Sequence, residues 1–145
     1  MINNDTMSLL KECDAGVKMA TASLEDVWQH IQTPELRAIV NTSRQQHEWI
    51  GREVQDTLEK NGGHDREPSA IARKMARMKT NATMKKNDNT EKAAAKIVAE
   101  GCRMGAQSLR DYLAEYKGAD VPSRALCRTL VAVEEQLAND VSAYL

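Results

Sequence analysis

The sequence predicts an all-α protein in which the helices pack side by side in a single domain spanning residues 1–145. That length is enough to bury roughly 68% of the surface that the unfolded chain exposes. Aromatic residues make up 3% of the chain and Phe is absent, so the core must consist of Leu, Ile, Val, Ala and Met, which favours helices over β-sandwiches. Apolar residues recur at helical spacing along most of the chain, and no alternating strand pattern competes with them.

The first two predicted helices form an antiparallel hairpin. The first begins near Asp5 or Thr6, either of which can accept hydrogen bonds from the free amides of the first turn. The second begins at Pro34 and ends near Lys60, where Gly62 follows. Because the connection before Pro34 is short, the two helices are expected to run antiparallel. The apolar seam of the first helix alternates steps of three and four residues: Leu10, Cys13, Val17, Ala20, Leu24, Val27 and Ile31.

Three more helices are predicted in the second half of the chain. A shorter one begins near Pro68 or Ser69 and fades at 87–89, the next extends to about Lys117, and the last covers about 123–144. In the short helix, four apolar residues are expected to face inward: Ile71, Met75, Met78 and Ala82. In the last helix, one face carries Leu126, Leu130, Val133, Leu137 and Val141.

Several short stretches resemble a bacterial four-helix-bundle branch of the ferritin-like superfamily. They are Leu9-Leu10 with Ala15-Gly16, the Arg-x-x-His-x-Trp stretch at Arg44 to Trp49 with Gly62-Gly63, Cys102 to Gly105, and Gln136 to Asp140. The resemblance implies a ferritin-like bundle of two antiparallel hairpins, with the short third helix in the crossover between them.

Metal-binding members of that superfamily hold two ions with a Glu from each of two helices and a Glu-x-x-His from each of the others. No Glu-x-x-His occurs in this chain, and Arg44 stands three residues before His47, where the motif needs a carboxylate. An arginine beside a site for two dications is repulsive. The resemblance therefore implies the fold without an intact di-metal site.

His47 is the residue on which the functional interpretation depends, because it lies on the apolar line of the second helix. In one interpretation it is a buried hydrogen-bonding group, with Ser43 one turn before it and Asp140 from the last helix as its partner. In the other it is a metal ligand. The further candidate ligands are then Glu12, Glu100 and either Glu134 or Glu135. The hydrogen-bonding interpretation is favoured.

The remaining polar and small residues suggest weaker hypotheses. The basic run from Arg73 to Lys86 could bind nucleic acid or another anionic partner, but it has no aromatic residue on which a base could stack. It is therefore predicted to be a solvated helix face, with Met75 and Met78 as core filling. Gly101 and Gly105 are expected in the seam of the fourth helix, where they allow another helix to approach closely.

The bulk composition limits the possible partners and compartment. A formal net charge of −1 argues against general attraction to nucleic acid or to an anionic membrane. Cys13, Cys102 and Cys127 are an odd number without a C-x-x-C pair, which together with a polar N-terminus predicts a reducing cytoplasm. No apolar run approaches the ~20 residues of a membrane-spanning helix.

Together these observations predict a non-enzymatic, cytoplasmic structural or interaction protein that is a homodimer and has no cofactor. The alternative is a metal-binding protein related to the di-iron proteins, with iron or another divalent metal held by non-standard ligands.

Overall fold

The computed structural model describes residues 2–86 and 88–145, apart from the side chain of Ile71, so the prediction for that side chain lies outside the described residues. The described chain is all-α and contains no strand, as the sequence predicts. Its five α-helices are α1 (Asn4–Trp28), α2 (Pro34–Lys60), α3 (Ala70–Lys86), α4 (Thr90–Glu115) and α5 (Val121–Val141). A single 3₁₀ turn, Ser142–Tyr144, follows α5.

Side chains that precede the helices fix where several of them begin. Asn3 accepts a hydrogen bond of 2.8 Å from the amide of Thr6, so α1 starts before the predicted Asp5 or Thr6 cap. Asp120 caps α5 in the same way through the amide of Ser123. Because a cap satisfies amides that have no partner inside the helix, these side chains set the boundaries locally.

The four long helices pack against one another, and α3 lies on the outside. Helix α1 contacts α2, α4 and α5, while α5 also contacts α2 and α4. Helix α3 packs against α1 and α4. The core between the long helices is aliphatic, and its largest fully buried side chains include Leu9, Leu10, Ile31, Leu36, Ile50, Leu58 and Leu130. This aliphatic core surrounds the few buried polar groups described below.

The predicted inward face of α3 is wrong. Met75 and Met78 are 64% and 61% exposed, and Ala82 is exposed as well. Among the described side chains of α3, those of Thr80 and Met84 are buried instead. The same side of the helix directs two basic residues, Arg73 and Arg77, towards Asp26 of α1, with nitrogen–oxygen distances of 3.6 and 3.7 Å. The inward side of α3 thus carries Thr80, Met84 and this inter-helix charge contact, which the apolar pattern of α3 does not predict.

The predicted close-packing role of the α4 glycines is also wrong for Gly101, which is exposed. A Cβ atom placed there would meet no atom within 4 Å. Gly105 does face a neighbouring helix, since a Cβ there would lie 3.3 Å from Oε2 of Glu134. Only Gly105 therefore allows a close approach, and the group that approaches is a carboxylate.

The connection between α2 and α3 is attached to α1 through the buried carboxylate of Asp14. Its Oδ2 accepts a hydrogen bond of 2.8 Å from the amide of Arg66, and its Oδ1 accepts one of 3.2 Å from Gln55 of α2. Lys18 lies 3.0 Å from Asp14 and donates to Glu67 at 2.7 Å. Because Asp14 is fully buried, the bonds that its carboxylate accepts are partly shielded from water and hold the connection on the helical core.

Replacing Asp14 by Ala is expected to lower the free energy of unfolding by roughly 2 kcal/mol, because hydrogen bonds to a buried charged group are lost. Chemical unfolding followed by circular dichroism measures this change. Amide exchange at Arg66 should accelerate at the same time. The matched control is Asp56→Ala at an exposed position of α2, which should change stability by less than about 0.5 kcal/mol. Equal effects of the two substitutions would contradict the role of Asp14.

Candidate functional site

The candidate site is built around His47, which is fully buried in the middle of α2. Spacing explains its burial, because it continues the three-and-four seam formed by Leu36, Val40, Ser43, Ile50, Val54 and Leu58. Ser43, one turn earlier, is 4% exposed. The sequence thus forces two polar side chains into an aliphatic core, where each needs a hydrogen-bond partner.

Both ring nitrogens of His47 contact oxygen atoms of the protein. Nδ1 lies 2.8 Å from the main-chain carbonyl oxygen of Ser43, and because a carbonyl can only accept, Nδ1 carries a proton. Nε2 lies 2.6 Å from Oε1 of Glu134 on α5. The hydroxyl of Ser43 is 3.4 Å from Nδ1 and is the weaker contact. The imidazole is thus fixed at both ends, by its own helix and by α5.

The contact between His47 and Glu134 is a buried ion pair. Burial acts to lower the pKa of His47, but the hydrogen bond and negative charge of Glu134, with the carbonyl of Ser43, outweigh burial and raise that pKa above its ordinary value. The imidazolium therefore persists to a higher pH than in a free histidine. Glu134 is 6% exposed, so both charges are shielded from solvent.

Cys102 of α4 adds a third group to the same cluster. Its pKa is raised by burial and also by interaction with the negative charge of Glu134. A reactive cysteine needs a lowered pKa and access to solvent, whereas this thiol is 5% exposed and is held neutral. The cluster His47–Glu134–Cys102, referred to below as the core polar cluster, therefore combines side chains of α2, α5 and α4 and lacks an activated nucleophile.

The prediction that Asp140 is the partner of His47 is wrong. Asp140 is exposed and accepts a hydrogen bond of 2.7 Å from Gln136 on its own helix. Glu134 takes the predicted role, although the sequence suggested it only as one alternative metal ligand. A signal for it exists in the buried seam of α5, where a carboxylate continues the three-and-four spacing: Cys127, Leu130, Glu134, Leu137 and Val141.

The structure does not bring the other candidate ligands to His47. Glu12 forms an ion pair with Arg66 near the α2–α3 connection. Glu100 lies 3.5 Å from Lys79 of α3, and the exposed Glu135 pairs with Arg110. Within residues 2–86 and 88–145, no three or more His, Cys, Asp or Glu side chains converge as metal ligands.

The other two cysteines meet in a separate part of the core. Cys13 of α1 and Cys127 of α5 are fully buried, and the two thiols interact with each other. This contact and burial together raise the pKa of Cys13 well above its ordinary value. Cys127 in turn donates to the carbonyl of Leu109 at 3.8 Å. These thiols are buried packing groups with weak hydrogen bonds.

Comparison with known proteins identifies the fold but no family. The fold is similar to that of a DUF305 fragment from Deinococcus radiodurans. That crystal structure matches with a TM-score of 0.75 over 98% of this chain and 95% of the other, at 13% sequence identity. At this identity the likeness concerns the all-helical fold alone. No family model and no curated protein matches the sequence.

Within the described part of the chain, every helix is too short or too polar to cross a membrane.

Proposed function

We propose that the chain is a ferritin-like four-helix bundle that acts as a non-enzymatic structural or interaction protein. The order of the helices supports the fold assignment, because α1 and α2 are joined by a short connection, as are α4 and α5, and α3 lies between the two pairs. The packing of α1, α2, α4 and α5 around one aliphatic core supports it further.

The observation that carries the non-enzymatic role is that both ring nitrogens of His47 contact oxygen atoms of the protein. A histidine that binds a metal needs one ring nitrogen with a free lone pair. In this protein Nδ1 bonds to the carbonyl of Ser43 and Nε2 pairs with Glu134, so both nitrogens hold protons for protein oxygens. The pair thus occupies the bundle interior as an internal tie between α2 and α5.

A metal-binding role is the second candidate, and the proximity of the His47 imidazole and the Glu134 carboxylate favours it. Loss of the proton on Nε2 would leave that nitrogen with a free lone pair for a metal, beside the carboxylate of Glu134. However, the carboxylates that could complete a site, Glu12, Glu100 and Glu135, are paired with basic residues elsewhere. Two ligands without a further carboxylate are a poor fit to a di-metal centre.

Metal analysis of protein purified without chelator distinguishes the two candidates. Mass spectrometry of the digested protein should find far less than one iron, manganese or zinc ion per chain, since His47 is engaged at both nitrogens. Stoichiometric metal that disappears in His47→Ala, but persists in the control His64→Ala at an exposed loop position, would overturn the structural role.

The homodimer is part of this proposal. Its support is Trp49 of α2, which is 51% exposed. Large aromatic side chains are enriched at protein interfaces, so an exposed Trp is a candidate contact between two copies of the chain. Sedimentation velocity measures the assembly state directly.

A further inference from the structure

Helix α3 carries a charge very different from that of the chain as a whole. Its sequence contains six basic residues and no Asp or Glu, whereas the whole chain has 20 Lys and Arg against 21 Asp and Glu. The basic residues of α3 are Arg73, Lys74, Arg77, Lys79, Lys85 and Lys86. The near-neutral net charge of the chain is therefore the sum of a strongly positive α3 and an acidic remainder.

The basic residues divide between two faces of α3. Arg73 and Arg77 lie on the docked side, where they face Asp26 of α1. The four lysines Lys74, Lys79, Lys85 and Lys86 are exposed. Their ammonium groups thus face solvent, although Lys79 also lies 3.5 Å from Glu100.

An apolar stripe lies along the middle of the exposed side. Met75, Met78 and Ala82 follow one another at steps of three and four residues, which places them in one line on a helix of 3.6 residues per turn. At about 100° per residue, Lys74 and Lys85 lie on one side of this line, and Lys79 and Lys86 on the other. These seven residues are referred to below as the α3 outer face.

The α3 outer face has the composition of a binding surface. Met75 and Met78 are mostly exposed, and the flexible thioethers of methionine adapt to irregular apolar partners. Lysines on both sides of an apolar line complement carboxylates at the flanking positions of a facing helix, as in the charged positions of coiled coils. The apolar line and the flanking lysines are thus complementary to an acidic, amphipathic helix.

We propose that the α3 outer face docks an acidic amphipathic helix of a partner protein. The apolar residues of that helix cover Met75, Met78 and Ala82, and its carboxylates pair with the flanking lysines. This inference assigns a partner class to the interaction role proposed above, and it rests on that role.

Two other anionic partners fit the surface less well. Nucleic acid presents phosphates to the lysines but leaves the methionine pair without a partner, and α3 has no aromatic side chain on which a base could stack. Helices that lie on membranes insert Trp, Phe or Leu, none of which occurs in α3.

The test measures binding of a labelled synthetic peptide by fluorescence anisotropy with the full chain. The peptide is about three heptads long, with Leu on its apolar line and Glu at the flanking positions. A second peptide of the same composition in scrambled order keeps the charge but has no apolar face. The first peptide should bind more tightly than the second, and its affinity should fall as the salt concentration rises.

Paired variants separate the apolar contribution from the charge contribution. The double substitution Met75→Ser with Met78→Ser should weaken binding by roughly tenfold or more, because the apolar surface that the peptide covers is lost. Lys74→Gln with Lys79→Gln should weaken it by roughly tenfold as well. The matched controls are Met104→Ser and Lys117→Gln at exposed positions away from α3, and they should leave binding unchanged.

Three results would overturn the proposal. The first is no binding of the amphipathic peptide at low salt, with circular dichroism showing folded protein. The second is binding that the methionine substitutions do not weaken. The third is tighter binding to a short DNA duplex, or to vesicles of phosphatidylcholine and phosphatidylglycerol in equal amounts, through the same residues.

These results are independent of the metal analysis. Failure of the peptide to bind removes the α3 partner and leaves the proposed metal-free bundle in place. Stoichiometric metal at His47 removes the structural role whatever α3 binds.

Discussion

Replacing Glu134 by Gln is expected to lower the free energy of unfolding by roughly 3 kcal/mol at mildly acidic pH, and by much less at alkaline pH. Removing one partner of a buried ion pair leaves the other charge without compensation, which destabilises strongly. Glu134 is 6% exposed and lies 2.6 Å from His47, so solvent does little to replace the lost carboxylate.

The pH dependence follows from the direction of the pKa shift. In the native protein the pKa of His47 is raised above its ordinary 6.5, chiefly because Glu134 outweighs burial. Its contribution to stability is therefore complete below pH 6.5 and is lost as the pH rises through the folded-state pKa. In Glu134→Gln, burial acts without a counter-charge and should depress the pKa, so that stability is lost as the pH falls below 6.5.

Urea unfolding at about pH 5.5 and about pH 8.5 measures both effects. The stability difference between the native protein and Glu134→Gln should be large at the lower pH and small at the higher one. Glu135→Gln is the matched control, because its carboxylate is exposed one residue away, and it should cost less than about 0.5 kcal/mol at either pH. Parallel pH profiles for the native protein and Glu134→Gln would show that the pair is not ionised as described.

The interior of α1 and α2 could be predicted from the sequence because each pattern depends on one helix alone. Leu10, Cys13 and Val17 of α1 are buried at the predicted spacing, as are Val40 and Val54 of α2. A helix of 3.6 residues per turn brings residues three and four apart onto one face, whatever packs against it.

The partner of His47 could not be predicted in the same way, because it depends on how far α5 is shifted along α2. Glu134 and Asp140 lie on the same helix, and the pattern of α2 does not indicate which of them stands opposite His47. The burial of Glu134 could have been found from the seam of α5, where the spacing passes through it between Leu130 and Leu137. A carboxylate in an apolar seam signals a buried partner on another helix.

The buried side of α3 could not be predicted from its own pattern either, because α3 packs against other helices on one side only. Its methionines were expected inside because apolar residues are usually buried, but Met75 and Met78 face solvent. The docked side of α3 faces Asp26 of α1, which contacts Arg73 and Arg77. These contacts join different helices, so the sequence pattern of α3 alone does not predict them. Their exposure places Met75 and Met78 on the α3 outer face.

Replacing both members of the core ion pair by apolar residues is expected to leave the protein folded, with a stability equal to the native value or higher by up to about 4 kcal/mol. The substitutions are His47→Leu and Glu134→Met, which keep similar volumes. Desolvation of two charges opposes the attraction between them, and an apolar pair avoids that penalty. Cys102 loses the neighbouring carboxylate in this variant, but a thiol is a weak hydrogen-bond donor and the effect on stability is small.

The single substitutions provide the contrast that makes this prediction decisive. His47→Leu alone leaves the carboxylate of Glu134 buried without its cation, and Glu134→Met alone leaves the imidazole without its anion, so each should cost about 3 to 5 kcal/mol near pH 6. A double-mutant cycle from urea unfolding then gives a coupling energy far larger than that of exposed pairs. A double variant as unstable as the sum of the two singles would show that His47 and Glu134 stabilise the bundle through separate contacts. Peptide binding by α3 should persist in a folded double variant, because the core polar cluster lies in the interior while the α3 outer face is exposed.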